Sequence, residues 1–229
     1  MDIYGIQKMT LLDYPGHVAC TVFFGGCDFR CPFCHNYELV CMEAAPVMDH
    51  EELLEYLKKR AGLIDGVVLT GGEPTLQREL MRLTGDIKSL GYRIKLDTNG
   101  YHPEALKALI GTGNIDYVAM DIKSSPGKYA AVCGVVAVDI KRIEKSIEII
   151  MEEAPDYEFR TTVVGGLHTL PDFEEIGRMI SGAKKYYLQA FEDRETVPYS
   201  GFEAPDERTL EGYAGAVRPF VEAVSIRGI

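Results

Sequence analysis

Short runs rich in β-branched and aromatic residues alternate along this chain with longer stretches of helical periodicity, and that alternation leaves few folds open. The strand-like runs fall at 18–24, 66–70, 93–97, 117–121, 158–164 and 186–190. Helical stretches follow at about 49–60, 77–90, 103–110, 139–152 and 172–180, and a last one begins near Asp206 ahead of Val224-Ser225-Ile226. A strand that returns through a helix lies parallel to its neighbour, so the pattern predicts βαβ units and a parallel sheet. A closed barrel of eight such units takes about 250 residues. The 229 residues fit six units better, which predicts an α/β fold, a partial (β/α)6 parallel barrel, as a single domain over 1–229. Residues 5–15 read as an N-terminal strand and turn, and 126–138 as irregular. In parallel α/β folds the site lies at the C-terminal ends of the strands.

The loop after the first predicted strand reads Cys27-Asp28-Phe29-Arg30-Cys31-Pro32-Phe33-Cys34-His35-Asn36. A [4Fe–4S] cluster is usually closed by four cysteines. Three thiolates would hold three irons and leave the fourth open to an outside ligand. The competing reading is a structural zinc site of Cys27, Cys31, Cys34 and His35, since zinc takes four N/S ligands. A histidine directly after a cysteine is poorly placed for the same metal, and no second Cys/His pair lies nearby to complete a zinc module.

Composition narrows the setting. No run of about 18 apolar residues predicts a membrane span. The N-terminus lacks a basic and then apolar leader, so no secretory signal is expected. The six cysteines are therefore expected in a reducing cytoplasm, as metal ligands or free thiols. Cys20, Cys41 and Cys133 read as small buried hydrophobes. A net charge of −11 disfavours a nucleic-acid partner.

Other polar motifs end the predicted strands. Gly71-Gly72-Glu73-Pro74 offers close backbone approach and a carboxylate that can accept from an ammonium; a plain strand-to-helix turn would look the same. Asp97-Thr98-Asn99-Gly100 gathers polar groups where a ribose or cation could sit, or forms a turn. Asp121 and Lys123 share one side by the two-residue period. Arg160 is placed either to meet a carboxylate or to form an ion pair at the core edge, and Gln189 ends the sixth strand. His35-Asn36 could shield a cluster or hydrogen-bond a sulfur, and His168 reads as a loop residue.

The cysteine spacing resembles the signature of the radical S-adenosylmethionine (radical SAM) superfamily. In that family the amino and carboxylate groups of S-adenosyl-L-methionine (SAM) chelate the open iron. The resemblance implies that Cys27, Cys31 and Cys34 ligate the cluster and that Gly71, Gly72 and Glu73 bind the SAM amino group. It implies that Phe33 packs beside the adenine and that Asp97, Thr98, Asp121 and Lys123 contact SAM or a monovalent cation near Asp97 and Asp121; Asn99 and Arg160 are further candidate SAM contacts by their place at the strand ends. Beyond the cysteine loop, Leu12-Asp13-Tyr14-Pro15-Gly16 and the segments 71–77, 96–100 and 117–123 resemble glycyl-radical-enzyme activases, above all the anaerobic ribonucleoside-triphosphate reductase activating proteins. Only Cys41 lies between Cys34 and Gly71, and no cysteine follows Cys133, so neither a ferredoxin-like insert nor a C-terminal auxiliary cluster is expected.

The implied reaction is reductive cleavage of SAM to a 5′-deoxyadenosyl radical that abstracts hydrogen from a glycine of a partner enzyme. The expected partner is an anaerobic ribonucleotide reductase, and the expected electron donor a flavodoxin or ferredoxin. A single-cluster enzyme acting on a small molecule, like 7-carboxy-7-deazaguanine synthase, is one alternative; a non-catalytic Fe–S or zinc-binding interaction protein is another.

Overall fold

The computed structural model describes residues 1–228. In chain order its elements are β1 (Asp2–Ile3), β2 (Gly5–Thr10), β3 (Ala19–Phe24), α1 (Tyr37–Val40), β4 (Met48–Asp49), α2 (His50–Lys58) and β5 (Gly66–Gly71). A 3-10 turn at Pro74–Leu76 leads to α3 (Leu80–Ser89), β6 (Arg93–Thr98), α4 (Pro103–Gly111), β7 (Tyr117–Asp121) and α5 (Tyr129–Val132). Then come α6 (Ile140–Glu153), β8 (Tyr157–Val163), α7 (Leu170–Met179), β9 (Lys185–Ala190), α8 (Glu207–Val217) and β10 (Ala223–Arg227).

One eight-stranded sheet carries the fold, in the order β2-β3-β5-β6-β7-β8-β9-β10. Strands β3 to β10 of that sheet run parallel, and β2 lies antiparallel to β3. Among the described residues the two outermost strands, β2 and β10, do not pair with each other, so the sheet stays open. All six expected strands are present in the expected order. The seventh parallel strand is β10, which pairs with β9 from Ala223↔Lys185 to Arg227↔Gln189.

Side-chain alternation decides what each face does. Val67, Leu69, Ile94, Leu96, Val118, Met120, Phe159, Tyr186 and Leu188 point one way, into the core under the helices. The opposite, concave face carries Lys95, Asp97, Asp121, Glu158 and Arg160. Tyr14, Ala19, Val68, Tyr117 and Ala119 form a separate apolar plug at the N-terminal ends of the strands. Asp13 holds the Tyr14 turn to β3 by accepting from Thr21 Oγ1 at 2.7 Å. The concave face is thus sealed below and polar above.

Three local expectations change. The 126–138 stretch holds the short helix α5. Pro74–Leu76 first forms a 3-10 turn, which delays α3 to Leu80. Helix α7 begins at Leu170 rather than Asp172, because Asp172 Oδ2 reaches back to Thr169 N at 2.8 Å and Oγ1 at 2.7 Å, closing the first turn around Pro171.

Candidate active site

A cavity of about 170 Å³ opens at the C-terminal ends of the strands, and Cys27, Cys31 and Cys34 all line it. The cysteines sit on the loop from β3 to α1. Phe29 N donates to Cys27 Sγ at 3.4 Å, and Asn99 Nδ2 stands 3.6 Å from the same sulfur. The neighbouring Cys133 thiol brings the Cys31 thiol down to about 7. Burial pushes Cys27 up to about 12 and raises Cys34.

This donor set fits a cluster better than a single ion. Three cysteines on one loop line the same cavity. Separate thiolates suit a cluster in which each binds a different iron. His35 is also committed elsewhere. Its ring stacks on Phe191 with centroids 5.6 Å apart and planes 8° apart, and its Nε2 is 2.6 Å from Glu192 O.

Gly71 and Gly72 bring the end of β5 against the cysteine loop. Gly71 has φ +119, and a Cβ at Gly72 would overlap the Gly26 carbonyl. Gly72 N donates to Phe24 O and Glu73 N to Gly26 O, each at 2.8 Å. Asn36 Nδ2 donates to Gly71 O at 3.0 Å. These glycines therefore serve close approach within the protein as well as toward the cavity.

Glu73 is fully buried, and its carboxylate accepts four hydrogen bonds. Thr75 gives N (3.1 Å) and Oγ1 (2.5 Å), Thr98 gives Oγ1 (2.8 Å) and Asn99 gives N (2.7 Å). The sequence suggests this group as an ammonium acceptor; in the fold it also ties the turn after β5 to the turn after β6. Asn99 Oδ1 then accepts from Tyr101 N at 2.8 Å, an Asx turn.

A ladder of charge crosses the concave face. Lys95 Nζ is 2.5 Å from Asp97 Oδ1, and Arg160 Nη2 is 3.1 Å from Asp97 Oδ2. Arg160 Nε reaches Asp121 Oδ1 at 2.5 Å, and Lys123 Nζ reaches Asp121 Oδ2 at 2.7 Å. Burial raises Asp97, but Arg160 and Lys95 outweigh it and hold the carboxyl below its usual range. Asp121 is likewise held down by Arg160 and Lys123 against burial. At the cavity wall Arg160 and Lys123 stand among three carboxylates, Asp97, Asp121 and Glu73, while Lys95 is buried.

The cavity thus brings together every site residue the sequence suggests: Cys27, Cys31, Phe33, Cys34, Gly71, Gly72, Glu73, Asp97, Thr98, Asn99, Asp121, Lys123 and Arg160. Phe33 packs edge-on against Phe191 and Phe202, with centroids 6.4 and 6.5 Å away. His168 is buried and holds Lys123 O at 2.9 Å, a structural role. Cys20 and Cys133 are buried as expected, whereas Cys41 is only partly so. The placement of Cys133 beside Cys31 is not signalled by the sequence; more than 100 residues separate them, and no local pattern marks the pairing.

A family profile described as the Radical SAM superfamily matches residues 21–180. A Methanocaldococcus jannaschii protein, provisionally described as a glycyl-radical enzyme activating enzyme, is 31% identical over 99% of this chain and 96% of its own length. The pyruvate formate-lyase-activating enzyme of Clostridium pasteurianum is 36% identical over 53% of this chain and 52% of its own. Streptococcus suis SuiB bound to the precursor peptide SuiA superposes with a TM-score of 0.70 at 14% identity, covering 91% of this chain and 48% of that one.

Proposed function

Because this chain belongs to the radical SAM superfamily, we propose that it activates a glycyl radical enzyme, with an anaerobic ribonucleotide reductase as the partner. The observation that carries the reading is that three cysteines of one loop line a single cavity together with Asp97, Arg160, Asp121 and Lys123. The family implies a [4Fe–4S] cluster and SAM. When bound, they supply one-electron cleavage of the SAM S–C5′ bond and so a strong hydrogen-atom abstractor.

Cys27, Cys31 and Cys34 would hold the cluster. The Lys95–Asp97–Arg160–Asp121–Lys123 ladder meets the SAM carboxylate with charge fixed in advance, so little reorganisation is needed on binding. Phe33 provides an apolar face for the adenine. The Glu73 hub holds the Asn99 turn against the cysteine loop. The apolar plug closes the bottom of the barrel, and the gap between β2 and β10 leaves a side entrance for a partner's loop. A glycyl radical is stabilised by its flanking amides, so hydrogen abstraction from glycine requires no general acid or base. The setting is a reducing cytoplasm, and the electron comes from a low-potential flavodoxin or ferredoxin. Asp97 and Asp121 would be the residues to hold a monovalent cation, for which Arg160 would have to give up their oxygens.

The test is anaerobic. The protein is reconstituted with iron and sulfide, reduced, given SAM and assayed for 5′-deoxyadenosine, with and without the reductase. Product formation that Cys31→Ala abolishes, together with a reductase-dependent glycyl doublet in the EPR spectrum, supports the proposal. Cleavage with no glycyl signal would redirect it to a small-molecule substrate.

A further inference from the structure

We propose that Asn99 and Cys133 are hydrogen-bond donors to the sulfurs of Cys27 and Cys31 and set the reduction potential of the cluster those cysteines hold. The inference rests on the cluster reading above and concerns two side chains that are not ligands.

The orientation of Asn99 follows from its neighbours. Its Oδ1 is committed to Tyr101 N–H at 2.8 Å, which leaves Nδ2 as the end facing Cys27 Sγ at 3.6 Å. Asn99 N is held by Glu73 at 2.7 Å, so the backbone under the amide is also fixed. The side chain is buried and therefore does not exchange this donor freely with water.

Cys133 reaches the site from the far side. It caps the C-terminus of α5, and its carbonyl accepts Arg30 N at 2.8 Å. The next residue, Gly134, has φ +65, and a Cβ there would overlap the Arg30 carbonyl. The glycine thus lets α5 press against the cysteine loop, which places the buried Cys133 thiol beside Cys31. A cluster-bound Cys31 has no proton to give, so Cys133 is the donor.

Each donor stabilises the reduced, more negative cluster over the oxidised one, and hydrogen bonds to the sulfurs are among the determinants of cluster potential. The two act on different ligands from different segments, so each can be removed separately.

The experiment is an anaerobic redox titration of the reconstituted full chain, followed by EPR of the reduced cluster, with iron and sulfide quantified. Asn99→Asp keeps the acceptor for Tyr101 N–H but replaces the amide donor with an anionic oxygen. Cys133→Ala removes the thiol, Cys133→Ser keeps a donor, and Cys20→Ala is a buried-thiol control elsewhere. The expected result is a negative shift for Asn99→Asp and for Cys133→Ala, with Cys133→Ser closer to wild type and Cys20→Ala unshifted. Fully loaded Asn99→Asp and Cys133→Ala proteins that titrate with wild type would overturn the inference. So would equal shifts in Cys133→Ala and Cys20→Ala. If the wild-type chain assembles no cluster, the reading beneath the inference fails and the inference with it.

Discussion

Arg160 is where single-residue chemistry weighs most. It bridges two part-buried carboxylates, Asp97 and Asp121. Arg160→Ala leaves each with a single lysine partner, a loss of about 1.5–3 kcal/mol for hydrogen bonds to a charged group. Denaturant unfolding should show that loss, and SAM affinity should fall alongside it. Arg160→Lys keeps the charge but cannot make both contacts, so it should recover only part of the stability. Glu73 makes a second prediction. Glu73→Gln puts an NH2 group where one of four donors now finds an oxygen, costing about 1–3 kcal/mol in urea unfolding. Conversion of SAM should also drop, because the Asn99 turn is held by that carboxylate.

At the scale of elements, caps and close approaches carry the argument. Asp172 anchors the first turn of α7 and also accepts from Ser125 Oγ and Lys128 Nζ, both at 2.6 Å. Burial opposes its ionisation, but these partners lower it from 3.8 to about 2. A carboxyl depressed on folding binds its proton more readily in the unfolded chain. Its contribution is therefore complete above the unfolded value and is lost as pH falls through the folded one. The shift is worth roughly 2 kcal/mol. The stability gap between wild type and Asp172→Asn should be about that size at pH 7 and should close toward pH 2, as followed by circular dichroism. The glycine pair after β5 gives another test. Gly72→Ala drives a methyl into the Gly26 carbonyl, which only a backbone shift relieves. Iron loading of that variant should fall well below wild type while far-UV circular dichroism stays near native.

For the whole molecule, the decisive feature is the unclosed sheet. Gln189 lies on the concave side of β9, between the open edge and the cavity, in register with Thr162 and Arg227. If a partner's loop enters there, Gln189→Trp should obstruct it. Glycyl-radical formation on the partner should fall at least tenfold, roughly a 1.4 kcal/mol penalty, while partner-free SAM cleavage stays near wild type. An equal loss in both assays would argue against that entrance.

Much of this was legible in the chain itself. The order of strands and helices followed from periodicity, since a two-residue pattern and a 3.6-residue pattern cannot be mistaken over several turns. The cysteine loop followed from spacing, because its ligands are neighbours in sequence. The residues gathered at the cavity followed from topology, since parallel strands put the ends of successive strands side by side. Tertiary structure alone decided what those residues do to one another. Glu73 reads as a ligand group until the fold surrounds it with four donors. Arg160 reads as either a ligand or an ion pair until β7 and, beyond it, β6 set two carboxylates within its reach. Cys133 reads as a small core residue until α5 packs it against Cys31. Each of these depends on atoms distant in sequence meeting within a few ångströms, and hydrogen bonds and buried charges respond to that distance, which residue identity and spacing do not encode.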